Sequence, residues 1–188
     1  MAIVPAILGL RLLALSASSE DLTPRWVGDQ LLVSAPKLHF LTGKPLERLR
    51  NGAAVPFDFQ LTVSAGRGNP ALQRALERFV VSYDLWEEKF TVVRLRNSHR
   101  SSSHLSAAAA EAWCLENLAL PTSAVPSDRS LWVKLEIRSA ESKTAASAPI
   151  EGAVSLAGLI EVFSRPGRGS LDHWAIETGP FKLTDLRR

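Results

Sequence analysis

With a single cysteine, Cys114, the 188-residue chain cannot hold an internal disulfide. It also lacks any long block of like charge. Its 22 Lys and Arg and 19 Asp and Glu are spread along the sequence and leave a net charge of +3. A nucleic-acid surface would carry a denser basic stripe, so nucleic acid is not an expected partner. No apolar run reaches the roughly twenty residues that a bilayer span requires, so no transmembrane span is expected in the mature chain. The motifs of catalysis are missing too: there is no HExxH, no Cys/His pairing and no G-x-S-x-G elbow. The four histidines, His39, His99, His104 and His173, do not assemble a zinc site by local spacing. No catalytic residue, cofactor or metal is therefore assigned.

What is present begins with MAIVPAILGLRLLALSASSEDL. Ala2 to Ala17 form a short apolar run interrupted by Arg11 and followed by Ser18 and Ser19. This resembles the apolar core and small-residue cleavage zone of a secretory signal, although no basic residue precedes the run. The competing reading is a buried or surface-lying N-terminal helix with Arg11 at its edge. Residues 1–19 are thus expected to be a signal peptide or N-terminal apolar segment, and 20–188 one globular α+β domain. Cleavage near Ala17 would remove Arg11 and leave an almost neutral mature protein in the periplasm or otherwise exported.

The rest of the chain alternates between strand and helix signals. Gly28–Leu41 reads as one strand, with Ala35-Pro36 as a bulge or edge position. Thr42 and Pro45 open a short helix that Asn51-Gly52 closes. VPFDFQLTV places Val55, Phe57, Phe59, Leu61 and Val63 on one face, with Asp58, Gln60 and Thr62 facing water or polar neighbours. GRGNP at 66–70 is a turn; a phosphate cradle would need a helix start after it. Leu76–Asp84 and Glu88–Leu95 form a hairpin with apolar residues on both faces, which predicts a central pair covered on each side. NSHRSSSH, 97–104, reads as a polar linker.

The alanine-rich segment from His104 predicts the main helix, its inner stripe at Leu105, Ala108, Ala112, Leu115 and Leu118, with Pro121 as its stop. Cys114, in mid-helix beside Trp113, is an apolar filler. Leu131–Arg138 is a strand with Leu131, Val133, Leu135 and Ile137 inward. Ser139–Pro149 reads as a loop, Val154–Phe163 as a helix, Pro166–Gly169 as a turn and Phe181–Leu186 as a closing strand. The sum is an α+β fold, a mainly antiparallel, meander-like sheet with two or three helices packed on it.

Three segments together resemble the DUF4390 proteins, exported bacterial proteins of unknown function: PLERLRNGAAVPFDFQLTV, the hairpin VSYDLWEEKFTVVRL and LWVKLEIRSA. The likeness covers about two-thirds of the chain; the serine-rich stretch at Ser101 and the linker after Ser139 depart from the pattern. It implies export into the envelope of a Gram-negative-type cell and supplies no catalytic residues. Among the five tryptophans, Trp86 is the one placed at the hairpin tip, where Glu87 accompanies it. Trp86 and Glu87 are accordingly the candidate contacts to a partner in the cell envelope. The alternative is a carrier of a small apolar ligand held between sheet and helices.

Overall fold

The structure, a computed structural model, describes residues 22–96, 100–140 and 172–186. The expected signal segment, the helix at 154–163 and the turn at 166–169 lie outside the described residues, as does almost all of the loop at 139–149. Nine strands and two helices occur among those described: β1 Thr23–Val27, β2 Gln30–Ser34, α1 Gly43–Arg50, β3 Val55–Ser64, β4 Ala71–Asp84, β5 Lys89–Arg94, β6 Arg100–Leu105, α2 Ala107–Glu116, β7 Leu120–Pro121, β8 Leu131–Ser139 and β9 His173–Phe181. A 3-10 turn, Leu183–Leu186, follows. All the pairings are antiparallel. They make a three-stranded sheet, β1-β2-β7, and a six-stranded one, β6-β5-β4-β3-β8-β9. The fold is α+β.

One face of the large sheet carries the core. Phe57, Phe59, Leu61, Val63, Phe79, Val81, Val92, Val133, Leu135 and Ile137 are all fully buried there. The small sheet covers this face with Leu31, Val33 and Leu120, α2 covers it with Ala110, Cys114 and Leu115, and the segment after α2 adds Leu118. Phe40, from the segment after β2, sets its ring edge-on to Phe57 at 5.1 Å and Phe59 at 5.3 Å; Phe59 meets Phe79 at 5.0 Å in the same manner. Trp113 closes the row against Phe79 at 6.0 Å. Edge-to-face rings of this kind add stabilisation beyond the area they bury.

The opposite face of the same sheet is a lattice of charge. Asp58 stands directly across from Arg78 on one side and Arg138 on the other. It is wholly buried, and Arg78 binds it through Nε and Nη2, the latter 2.8 Å from Oδ2. Alternation correctly put Asp58 on the polar side. What it could not show is that β3, hydrogen-bonded on both edges, has no solvent-facing side there. Further along, Glu136 gathers Lys134 at 3.2 Å and His173 at 3.4 Å, and Gln60 lies 3.4 Å from its other oxygen.

Several expected elements change. The strand read over Gly28–Leu41 is instead the second arm of a β1–β2 hairpin and ends at Ser34, because Ala35 to Lys37 turn the chain. The polar linker is in part a strand, β6: its serines pair with Val92 and Val93 at the sheet edge, where side chains need not be apolar. The main helix starts at Ala107, capped by the Ser106 hydroxyl on Ala109 N at 3.2 Å, and ends at Glu116, well before Pro121. Its buried stripe runs through Ala110, Glu111, Cys114 and Leu115, with Leu118 buried just past its end, while Ala108 and Ala112 are exposed. Phe181–Leu186 is no strand; β9 ends at Phe181, and Leu183 tucks into the core within the 3-10 turn. Val80, Thr91 and Val93, on the outer face of the β4–β5 pair, are half-buried, so that face is covered only in part.

Glu77 is a charged group on the core side of the sheet. Glu77 lies opposite Phe59, with Arg94 3.8 Å away and its Oε2 buried without a hydrogen bond. Burial pushes its carboxyl above the model-peptide value of 4.5, against the opposing pull of Arg94 and Arg96. A folded-state pKa above the unfolded one means that the contribution is full below about pH 4.5 and is lost as pH rises through the raised value. Glu77→Gln is therefore expected to raise stability at pH 7 and to flatten the dependence on pH just above the carboxylate range. Urea unfolding of both proteins from pH 4 to 8 reads this directly; a variant less stable than the parent at pH 7 would mean that the Arg94 pair outweighs burial.

Candidate functional site

The β4–β5 hairpin pairs as far as Asp84 opposite Lys89, and residues 85–88 make the loop. Asp84 shapes it. Its Oδ1 accepts from Trp86 N at 2.8 Å and Glu87 N at 3.0 Å, the side-chain turn that Asp forms readily. These two bonds hold the Asp84 carboxyl below its ordinary range. Glu88 adopts φ +53° to bring the chain back. Just below the loop, Tyr83 and Phe90 face each other with ring centroids 4.8 Å apart. Beside it, β6 bulges against β5 at His104, which has φ +60° and reaches Glu87 Oε2 with Nε2 at 3.0 Å.

On this braced loop Trp86 is 96% exposed and its neighbour Leu85 56%. The other four tryptophans are half-buried. Trp113 and Trp174 meet core phenylalanines edge-on, Trp26 packs against the core, and Trp132 lies beneath the Arg67 guanidinium at 5.2 Å. Two apolar side chains at the end of a hairpin gain nothing for the fold from where they stand. Asp84, Glu87 and Glu88 surround them with carboxylates.

The remaining candidates of the sequence fall into structural roles. The thiol of Cys114 is buried, and burial first, then the Glu111 carboxylate, push its pKa far up, so it is not a nucleophile. The GRGNP loop is a turn, closed by Asn69 N on Gly66 O at 3.1 Å, and leads into β4 rather than a helix. Each described histidine faces one carboxylate: His39 Glu111, His104 Glu87 and His173 Glu136. Among the described residues no three His, Cys, Asp or Glu come together as a metal site. The sequence reading that no S-x-x-K occurs is corrected by Ser34 and Lys37, which stand at that spacing but lie at the end of β2 and in the following turn, not on one helix face.

Sequence reasoning passed over one cluster. Glu111 is 5% exposed; Oε1 accepts from Leu41 N at 2.8 Å, and Oε2 lies 3.0 Å from His39 Nδ1. It borders an open cleft of about 240 Å³ between α2 and the segment after β2. The signal was an acid set on the apolar stripe of α2, three and four residues ahead of Cys114 and Leu115. Comparison with known protein families, with curated proteins and with solved structures gave no match. Among the described residues no helix is long and apolar enough to cross a membrane.

Proposed function

We propose that the chain is an exported, non-enzymatic α+β domain that binds a protein of the cell envelope through the tip of its β4–β5 hairpin. One observation carries this reading: Trp86 projects, almost wholly exposed, from a loop whose backbone is fixed by Asp84. Tryptophan is the side chain most enriched at interface hot spots, and a preorganised loop loses little freedom on docking. Leu85 enlarges the apolar area, and the three carboxylates around it favour a partner with an apolar socket and a basic rim. An anionic lipid surface would be repelled by the same rim. Location in the periplasm and kinship with the DUF4390 proteins belong to the same proposal, supported by the apolar N-terminal segment and the three motif segments.

Photo-crosslinking tests the binding reading. A photoreactive residue at position 85, with Trp86 intact, is expected to give one discrete adduct in cells, while the same group at Leu72 gives none. Trp86→Ala should abolish the adduct yet change stability by less than about 0.5 kcal/mol, since the side chain packs on nothing. An adduct indifferent to Trp86→Ala would sink the proposal. For export, the mature N-terminus found by mass spectrometry should lie near Ser18; an intact Met1 in the cytoplasmic fraction contradicts it. The alternative reading, a carrier of a small apolar ligand, draws on the cleft beside α2.

A further inference from the structure

That cleft has a built polar centre, His39 and Glu111, in a mostly apolar lining that also includes Arg25, Ser34 and Glu116. Its walls are Val33, Pro36 and Leu38 on one side and Ala108, Ala112 and Leu115 on the other. The two alanines face it from the exposed side of α2, and their small size is what leaves it open. Its volume, about 240 Å³, is below the roughly 300–1,000 Å³ of pockets for drug-sized molecules, so any occupant is small.

Two groups in the lining interlock. The carboxylate of Glu111 is held from below by Leu41 N, which fixes its direction. Its other oxygen meets His39 Nδ1, and in the neutral imidazole a carboxylate selects the tautomer with the proton on that nitrogen. Nε2 then carries a lone pair and is the nitrogen left to meet an occupant. The His39 side chain is 59% exposed, whereas that of Glu111 is only 7% exposed. The arrangement is an oriented acceptor beside an apolar wall. It matches a compact apolar molecule with a single hydroxyl: the body lies against Ala108, Ala112 and Leu115, and the O–H donates to Nε2.

We propose that this cleft binds a small, uncharged hydroxylated apolar molecule, a phenol or alcohol, with His39 as the acceptor and Glu111 as its positioning residue. The site is separate from the hairpin tip and does not depend on it. The probe is 4-methylphenol, titrated into the full chain at pH 7.5 and followed by the His39 ring and Ala112 methyl NMR signals. Saturable shifts at both positions are expected, with 4-methylanisole, which has no donor, at least about tenfold weaker.

Three variants complete the test. His39→Ala should bring phenol and ether to equal affinity, and Ala112→Leu, on an exposed position, should fill the cleft and abolish binding of both. Glu111→Gln removes the carboxylate that sets the tautomer and should weaken the phenol toward the ether. Equal affinity of phenol and ether for the parent chain overturns the assignment of His39. Shifts that survive Ala112→Leu overturn the cleft itself, as does the absence of any saturable shift.

Discussion

Arg78→Met is expected to destabilise the fold by about 3–5 kcal/mol, the usual cost of leaving a buried charge without its partner. Asp58 has no exposure and gives both carboxylate oxygens to the Arg78 guanidinium. Methionine keeps much of the apolar stem and removes both donors. Arg138 lies across the other edge of β3; the variant removes the paired bonds that Arg78 makes to both oxygens. Guanidinium unfolding at pH 7 measures the loss. The double variant Asp58→Val, Arg78→Met should regain most of it, because an apolar pair of suitable volume is often as stable as the buried ion pair it replaces. A single variant within about 1 kcal/mol of the parent would show that water reaches Asp58.

Phe59→Ala is expected to cost about 3–5 kcal/mol, as for other fully buried aromatic residues. The ring is enclosed between Phe40 and Phe79 in two edge-to-face contacts, and β3 cannot shift to fill the space while β4 and β8 are bonded to both of its edges. The cavity would open at the centre of the sheet, where relaxation is least. Thermal unfolding is the measurement, with Phe59→Leu as its companion. Leucine should recover more than half of the loss; equal losses for the two would point to ring contacts rather than volume.

The elements most legible in the sequence were those with a two-sided contrast. β3 and β8 alternate cleanly because their core face is apolar and their other face carries charge. The hairpin announced itself through two β-branched arms and an acidic middle, and α1 through Thr42, Pro45 and Gly52. Elements at sheet edges left fainter marks. β6, written RSSSHL, has few side chains in the core and reads as a linker; β9 mixes Gly179-Pro180 with charged residues.

The rotation of α2 was misjudged for a physical reason. In a helix of alanines, small side chains do not distinguish an inner from an outer face. Glu111, which lies on the inner face with Cys114 and Leu115, is a carboxylate, which binary patterning assigns outward. Its partners, Leu41 N and His39, are seventy residues or more away, and no local pattern connects them. Trp86 was legible as a tip residue because the turn is local, whereas the His104 brace beside it depends on a strand the pattern did not reveal.

The strand order also ranks how firmly each part is held. β3 has a bonded neighbour on either edge and a buried residue at nearly every position, so its amide protons can reach solvent only when the whole sheet comes apart. β6 ends the sheet, and the loop between β4 and β5 is held, among the described residues, by Asp84 and His104; these open locally, far more often than the protein unfolds. The surface offered for contact thus exchanges hydrogen on a faster clock than β3, the strand paired with its own hairpin.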